Sequence, residues 1–297
     1  MDHVLTLIAG PDAPGLDDSA VAEIRAAMTA LGAHTAPADW LSPGRACDVR
    51  FGHLAPEQAD AAAARVLEGW SVDVVAQPIE GRRKLLLVAD MDSTMVVGET
   101  LDDLAEFAGL KDRIAAITAR AMNGEIGFED ALRERIGLLA GLPETALEEA
   151  WRTVEYTGGA RALVQTMKAH GAYCVLVSGG FSFFTGRVRA QCGFDVDLSN
   201  EFIFEGGRLA GVKEPILGRA AKLATLIRTA AERKVPLSLS AAVGDGANDL
   251  DMLRAAGLGV AFHAKPVVAA EARARVDHGD LTALLYAQGY RDEEMAG

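Results

Sequence analysis

Cysteine is scarce in this chain, and its three cysteines form no pattern typical of a disulfide framework or a metal site. Cys47, Cys174 and Cys192 are odd in number, and none of them stands in a CxxC pair or at metal-ligand spacing from a histidine. We therefore expect free thiols in a reducing compartment, which predicts a cytoplasmic protein.

Basic residues are also few, with 29 Lys and Arg against 42 Asp and Glu and a formal net charge of -13. Nucleic acids and anionic membrane surfaces need clustered cations, so neither is expected as a partner. The charge does not exclude a small anionic substrate, because a metal and a few local cations can reverse the field inside one pocket.

Long apolar runs are missing as well. No stretch approaches the roughly 20 residues that a membrane-spanning helix needs, and no basic segment followed by an apolar one opens the chain. We therefore predict a soluble protein.

The first 80 residues predict a ferredoxin-like α+β domain. Strand patterns alternate with helix patterns in the order β-α-β-β-α-β, at residues 3–9, 17–31, 35–41, 47–52, 56–67 and 71–77. The domain resembles the ACT-type ligand-sensing domains that accompany amino-acid enzymes. We hypothesise that it packs in a homodimer and binds a free amino acid such as serine, and a packing role alone is an equal alternative. A linker is predicted at residues 78–83.

Residues 84–297 predict a Rossmann-like α/β domain with a parallel sheet, because apolar strands alternate with helices. The strand candidates are residues 85–89, 172–177, 195–198, 240–243 and 258–262. Between the first two strands, residues 97–157 show helical periodicity throughout. A helical insertion at this point predicts a cap above the carboxyl ends of the strands, where ligands of such sheets bind.

A polar cluster follows each of the three strongest strands directly. The clusters are Asp90-Met91-Asp92, Ser178-Gly179-Gly180 and Gly244-Asp245-Gly246-Ala247-Asn248-Asp249. Because carboxyl ends of parallel strands meet at one edge, these three clusters are expected to lie close together.

The two carboxylates after the first strand suit phosphoryl transfer. Charge at the end of a buried strand needs a counter-charge or a metal. Asp90 is placed to attack phosphorus, and Asp92 points to the same side because side chains alternate with period two. Asp92 can therefore act as general acid and then as general base. A polar surface turn is the plain alternative for this pattern alone.

The other clusters supply the counter-charges that such a site needs. Asp245 is a hard oxygen ligand suited to Mg²⁺, and Asp249 is a further ligand or orients a bound water. Ser178 offers a hydroxyl, with backbone N–H groups beside it, to a phosphate oxygen. Lys222, on a helix that begins near Gly218, is a point cation for the phosphate. Taken singly, these features also fit a loop, a helix cap and a solvated lysine.

Together these residues resemble the haloacid-dehalogenase superfamily of phosphotransferases. The resemblance covers about residues 84–290 and rests on Asp90-Met91-Asp92-Ser93-Thr94, Ser178-Gly179-Gly180-Phe181, Lys222 and the cluster that ends at Asp249, in this order. It implies Mg²⁺ held by Asp90, the backbone carbonyl of Asp92 and Asp245, and an aspartyl-phosphate intermediate.

Within this superfamily the chain is most similar to the phosphoserine phosphatase family. The similarity implies hydrolysis of O-phosphoserine, the last step of serine biosynthesis. It implies that Glu99 pairs with the substrate ammonium and Arg135 with its carboxylate. Phosphate-site residues Gly179, Gly180 and Asn248 complete the substrate contacts, with Met122 and Phe128 as an apolar wall over the bound amino acid. Gly127 stands where a larger polar residue is expected. The plain alternatives are that Glu99 and Arg135 are exposed helix charges and that Phe128 and Met122 belong to the core of the cap.

Two other functions compete with this interpretation. Glu99 and Arg135 would serve any α-amino-acid head group, so another phosphoamino acid such as phosphohomoserine is an alternative substrate. A non-catalytic amino-acid sensor that works through residues 1–80 is the alternative from another class. The presence of Asp90, Asp92, Lys222 and Asp245 together favours an active enzyme.

Overall fold

The computed structural model describes residues 1–11, 13–122 and 125–296, apart from the side chain of Met122. The predicted substrate contact of Met122 therefore lies outside the described residues. Within the described part, two sheets of different type organise the chain, and none of the helices has the length and apolar character needed to cross a bilayer.

The N-terminal sheet is antiparallel and has two helices on it. Its elements are β1 (His3–Ala9), α1 (Asp18–Ala30), β2 (His34–Thr35), β3 (Asp39–Ser42), β4 (Ala46–Gly52), α2 (Pro56–Val66) and β5 (Val72–Pro78). The strand order is β2-β4-β1-β5, with β3 also paired to β4. This is the ferredoxin-like arrangement, and it confirms the predicted small α+β unit.

One strand of this unit was predicted wrongly as continuous. The pattern at residues 35–41 predicts a single strand, but β2 and β3 are separate and both pair with β4. Pro37 lies between them, and proline has no N–H to donate to a ladder. The helix that precedes β2 begins as expected, because the Asp17 side chain accepts a hydrogen bond from the Ala20 N–H at 2.8 Å.

The second sheet has six parallel strands. They are β6 (Leu86–Ala89), β7 (Tyr173–Phe181), β8 (Val196–Asn200), β11 (Ser240–Gly244), β12 (Leu258–Phe262) and β13 (Ala274–Val276). Their order in the sheet is β13-β12-β11-β6-β7-β8. Its helices are α7 (Ala160–Ala169), α8 (Ser182–Cys192), α9 (Arg219–Arg233), α10 (Leu250–Ala255), α11 (Pro266–Glu271) and α12 (Ala283–Ala287), with 3₁₀ turns at Leu237–Leu239 and Asp292–Glu294. The Rossmann-like prediction is confirmed.

Apolar side chains on both faces of this sheet explain why helices cover it twice. Leu87 and Ala89 of β6 join the cluster that contains α7 and α8, whereas Leu86 and Val88 join the cluster that contains α9 and α10. Successive strand residues point to opposite faces, so a continuous apolar run is buried only between two layers.

Four of the five helices between β6 and β7 belong to the insertion at the carboxyl edge of the sheet, and the fifth is α7 of the core. The four are α3 (Thr100–Phe107), α4 (Lys111–Met122), α5 (Phe128–Leu138) and α6 (Thr145–Thr153). Val96 and Tyr156 form an antiparallel bridge, so the segment leaves and rejoins the core at one place.

A hairpin that the sequence analysis did not predict packs against these helices. It consists of β9 (Phe202–Glu205) and β10 (Arg208–Val212), which pair antiparallel. The Leu209 carbonyl accepts from the Gly141 N–H at 2.8 Å, and the Leu209 N–H donates to the Leu142 carbonyl at 2.8 Å. The cap is therefore supported by strands from outside residues 97–157.

Residues 78–83 were predicted to be a linker, but they are held in place. β5 runs through Pro78, and the Arg82 guanidinium pairs with Asp48 at 2.5 Å. Arg82 also donates to the backbone carbonyls of Tyr286 and Ala287 at 3.1 Å each. The Arg82 guanidinium therefore bonds to β4 of the N-terminal unit and to α12 of the second unit, so the connection is anchored to both. The domain boundaries at residues 80, 84, 97 and 157 stay a proposal.

Candidate active site

The side chains predicted for phosphoryl transfer lie together at the carboxyl edge of the parallel sheet. Asp90 follows β6, Asp245 follows β11, and carboxylate oxygens of Asp90, Asp245 and Asp249 lie within 4.8 Å of one another. Ser178, in β7, donates its hydroxyl to Asp92 Oδ2 at 3.1 Å. The edge thus gathers four carboxylates from two neighbouring strands.

Lys222 is the cation at the centre of these carboxylates. Its side chain is 2% exposed, and its Nζ lies 2.8 Å from Asp90 Oδ1 and 2.7 Å from Asp249 Oδ1. Burial alone would lower the pKa of Lys222, but the charges of Asp90 and Asp249 outweigh it and raise the pKa above its usual range. The charged form of Lys222 is therefore favoured, which suits a cation that faces a phosphate.

Asp92 differs from Asp90 in its surroundings. Burial raises the pKa of Asp92 to about 6, and the nearby charge of Asp90 adds to the effect, while hydrogen bonds from Thr100 and Ser178 oppose it. A carboxyl group with a pKa near neutrality can give a proton and then take one back. Asp90, by contrast, is fixed by Lys222 and accepts from the Met91 N–H at 2.9 Å.

The carboxylates that face Asp90 suit a divalent cation. Burial and the charge of Asp90 raise the pKa of Asp245, and the same two causes raise the pKa of Asp249 to about 7. Lys222 and the exposed Lys265, whose Nζ lies 3.9 Å from Asp245 Oδ2, are two ammonium groups against three carboxylates. Carboxylate oxygens are the ligands that Mg²⁺ prefers. The donor set therefore fits the predicted Mg²⁺.

Asp249 has donors on both of its oxygens. Oδ1 pairs with Lys222, and Oδ2 accepts from the Gly246 N–H at 3.1 Å. These contacts hold Asp249 against Lys222 and the loop, and its two predicted roles, as a further metal ligand or as a group that orients a bound water, stay predictions. A Cβ on Gly244 would overlap the Asp249 side chain, so glycine is required there.

Asn248 lies in the same loop and is half-buried. Its side-chain oxygen packs against Gly246, where a Cβ would overlap it. No hydrogen bond joins it to another predicted site residue among those described, so its substrate contact stays a prediction.

Ser178, Gly179 and Gly180 form a narrow cradle beside Asp92. The Gly180 N–H donates to Ser178 Oγ at 2.8 Å, and a Cβ on Gly180 would lie 2.9 Å from Asp92 Oδ2. A Cβ on Gly179 would lie 3.0 Å from the ring of Phe128. The absence of side chains at both glycines therefore lets the end of β7 approach Asp92 and the cap closely.

Glu99 stands at the mouth of the site. Although solvent reaches part of it, the surrounding protein desolvates its carboxylate and raises the pKa of Glu99 to about 8, with further contributions from Asp92 and Asp245. Ser93 Oγ donates to Glu99 Oε1 at 3.0 Å. A cationic substrate group would relieve this excess of negative charge.

Arg135 and Phe128 approach from α5. Burial lowers the pKa of Arg135, while the carboxylates of Asp102, Glu99 and Asp92 act in the opposite direction. Arg135 makes no ion pair within 4 Å among the described residues, and its Nε lies 3.4 Å from the Ala131 carbonyl. Its guanidinium is therefore available to a carboxylate.

A cavity of about 570 Å³ opens between the starts of α5 and α9. Phe128, Ile216 and Gly218 line it, and Phe128 is 38% exposed there. Gly127 also borders it, with no atom within 4 Å of the place where its Cβ would stand. A Cβ at Gly127 would therefore have open space among the described residues.

Two residues of the site were not predicted from the sequence. Asn200, at the end of β8, donates to the Gly179 carbonyl at 2.8 Å and accepts from the Leu217 N–H at 2.6 Å. Thr100 donates to Asp92 Oδ1 through its N–H at 2.9 Å and its hydroxyl at 2.7 Å. A polar residue at a strand's carboxyl end was the available signal for Asn200. Thr100 gave none.

Comparison with known proteins defines the class. The model of the haloacid dehalogenase-like hydrolase family matches residues 87–254, and this chain belongs to that family. A phosphoserine phosphatase of Streptomyces coelicolor is 44% identical over 228 residues, which cover 76% of this chain and 56% of that protein. The chain spans 56%, 60% and 64% of the lengths of three such curated relatives.

Solved structures agree with this class. A HAD family hydrolase from Salmonella enterica serovar Typhi has a TM-score of 0.84 and 27% identity, and covers 96% of this chain and 98% of its own. A substrate-bound phosphoserine phosphatase complex has a TM-score of 0.64 and 35% identity, and covers 69% of this chain and 98% of its own.

Proposed function

We propose that the protein is a Mg²⁺-dependent phosphatase that hydrolyses O-phosphoserine through an aspartyl phosphate on Asp90. The observation that carries this proposal is the contact of Lys222 with both Asp90 and Asp249, beside an acid/base carboxyl on Asp92. Curated relatives at 44% identity bear the name phosphoserine phosphatase, which favours this substrate.

The first half-reaction uses Asp90 as nucleophile. Its carboxylate attacks phosphorus, the bond to the serine oxygen breaks, and Asp92 gives a proton to that oxygen. Lys222 and the Ser178 hydroxyl bind phosphate oxygens. Asp90, the Asp92 carbonyl and Asp245 would hold Mg²⁺, with Asp249 as a further ligand or as the group that orients a bound water. The cation would offset the charge of the phosphate.

The second half-reaction releases phosphate. Asp92, now ionised, takes a proton from water as the water attacks phosphorus, and the bond between phosphorus and the Asp90 oxygen breaks. Asp90 and a protonated Asp92 are thereby restored. The raised pKa of Asp92 suits both directions of proton transfer.

Residues of the cap would recognise the amino-acid head group of the substrate. Glu99 would pair with the ammonium, because negative charge is in excess around it. Arg135 would pair with the carboxylate, because its guanidinium has no ion-pair partner within 4 Å among the described residues. Phe128 and Met122 would close the apolar wall over the substrate.

A phosphate-release assay tests this proposal. With Mg²⁺, phosphoserine should be hydrolysed with a kcat/KM at least about 10-fold above phosphothreonine and phosphohomoserine, since a longer or branched chain misplaces the phosphate by about 1 Å. Without Mg²⁺, turnover should fall to background. Equal rates on all three esters, or a preference for phosphohomoserine, would favour the alternative substrate.

For residues 1–80 we propose a homodimer contact and binding of free serine, supported by the ACT-like strand order. Sedimentation of the full chain measures the dimer, and calorimetry with L-serine measures the binding. A dimer that gives no heat of binding with L-serine would leave only the packing role. A heat of binding in a chain without phosphatase activity would favour the amino-acid sensor. A cytoplasmic location is likewise proposed from the three free, buried thiols.

A further inference from the structure

Asp92 is held by a cap residue to which no motif assigns a role. Thr100 is 2% exposed, and both its N–H and its hydroxyl donate to Asp92 Oδ1, at 2.9 and 2.7 Å. The other oxygen, Oδ2, accepts from the Ser178 hydroxyl at 3.1 Å. The carboxylate therefore cannot rotate without the loss of a hydrogen bond.

This contact also serves the helix that it touches. Thr100 is the first residue of α3, and the side chain of the preceding residue, Glu99, makes no capping hydrogen bond. The first N–H groups of a helix need acceptors, and a carboxylate is favoured at a helix N-terminus. Asp92, on the sheet edge, supplies that acceptor, so the position of α3 and the orientation of Asp92 are linked.

Thr100 is also joined by one peptide bond to Glu99, the proposed ligand of the substrate ammonium. A displacement of the backbone at Glu99 is passed to the N–H that binds Asp92, because the peptide unit between them is planar. The residue that recognises the head group and the residue that orients the acid are therefore neighbours.

We propose that Thr100 is a positioning residue that aims the Asp92 carboxyl at the leaving-group oxygen, in register with head-group binding at Glu99. This inference rests on the proposed phosphatase function and deepens it. In the step concerned, the bond between phosphorus and the leaving oxygen breaks, its electron pair stays on that oxygen, and the Asp92 proton goes to it.

Two phosphate esters separate positioning from a general structural role. The alkoxide of serine needs a proton on leaving, whereas the nitrophenolate of 4-nitrophenyl phosphate does not. Thr100→Val removes the hydroxyl donor and keeps the shape. We expect kcat/KM for phosphoserine to fall about 10-fold to 100-fold and kcat/KM for 4-nitrophenyl phosphate to fall less than about 3-fold.

Matched variants complete this experiment. Thr100→Ser keeps the hydroxyl and should restore phosphoserine turnover to within about 3-fold of the parent. Thr118→Val removes a cap hydroxyl that bonds within α4, to the Ile114 carbonyl. This substitution should leave kcat/KM unchanged on both esters. Equal losses of kcat/KM on both esters in Thr100→Val would overturn the proposal. Failure of Thr100→Ser to restore phosphoserine turnover would overturn it as well.

The link to Glu99 is measured by a double-mutant cycle. Glu99→Gln and Thr100→Val should be non-additive on phosphoserine and additive on 4-nitrophenyl phosphate, which has no ammonium. Additivity on both esters would refute the link. If Thr100→Val melts too low to assay, Thr100→Ala tests the same donor with less bulk.

Failure of the proposed substrate gives a different result. If the parent chain does not hydrolyse phosphoserine but cleaves another alkyl ester, the function is wrong, and the same comparison on that ester still decides the role of Thr100.

Discussion

Lys222 shows how one residue makes a dense cluster of carboxylates possible. It is 2% exposed and pairs with Asp90 and Asp249, whose side chains are 7% and 0% exposed. A charge removed from water is stable only if its partners remain, so each member of this cluster depends on the others. The phosphate oxygens of a substrate would approach the same ammonium.

Replacement of Lys222 by Met should therefore affect both activity and stability. We expect activity to fall about 10³-fold or more, because the phosphate loses its cation. The free energy of unfolding, measured in denaturant without Mg²⁺, should fall by about 3–5 kcal/mol, since two buried carboxylates lose their partner.

Lys213→Met is the matched control for this change. Lys213 pairs with Glu201 on the surface, with side chains 60% and 54% exposed, and its loss should cost about 0–1 kcal/mol. Comparable effects of the two substitutions would contradict the role given to the buried ammonium.

The residues of the site were predictable where a motif follows a strand. Asp90, Ser178 and Asp245 stand at the carboxyl ends of apolar runs that the sequence makes obvious, and the structure brings them together. Thr100 was not found because its contact with Asp92 is set in three dimensions and no local pattern encodes it. Asn200 does stand at the carboxyl end of a strand, and this signal was overlooked.

At the scale of the elements, helices and strands followed the local pattern except where the chain is broken or short. Pro37 divides one predicted strand, and β13 has only three residues, too few for a periodic signal. The hairpin β9–β10 had a signal that was overlooked, since Gly206-Gly207 between apolar runs is typical of a two-residue turn.

Helix α2 carries an unbalanced charge that should respond to pH. One carboxylate oxygen of Asp60 is buried without a hydrogen-bond partner among the described atoms, and burial raises the pKa of Asp60 to about 7. The native state then binds this proton more tightly than the unfolded chain does. The free energy of unfolding should therefore fall as pH rises from about 4 to about 7.

Asp60→Asn should remove this penalty. We expect the variant to be about 1–3 kcal/mol more stable than the parent at pH 8, with a smaller difference at pH 5, by thermal and chemical unfolding. Glu68→Gln, an exposed change just beyond the same helix, serves as control. A variant less stable than the parent at pH 8 would show that the Asp60 charge is favourable.

At the scale of the whole molecule, the two sheets are joined by buried polar contacts. The Asp73 carboxylate on β5 accepts from the N–H groups of Asp277, His278 and Gly279, at 2.7, 3.1 and 2.7 Å. Together with Arg82, this contact predicts that residues 1–80 unfold with the rest of the chain.

Asp73→Ala would leave three backbone N–H groups without their acceptor. We expect a loss of about 2–4 kcal/mol and faster proteolytic cleavage between residues 78 and 86. Asp2→Ala, an exposed carboxylate on the same unit, should change neither quantity. Unchanged cleavage in Asp73→Ala would show that the other contacts between the two units, such as those of Arg82 and Gln77 with the Ala287 carbonyl, are sufficient to hold them together.

The bridge between Val96 and Tyr156 has a consequence for the path of the chain. Paired residues in an antiparallel bridge stand about 5 Å apart, so the insertion between them begins and ends at neighbouring points of the sheet edge. The core strands therefore need no rearrangement to accommodate it. Because Thr100 also bonds to Asp92, and Gly141 and Leu142 bond to Leu209 of the hairpin, only a change that spares these contacts would leave both the cap and the site in place.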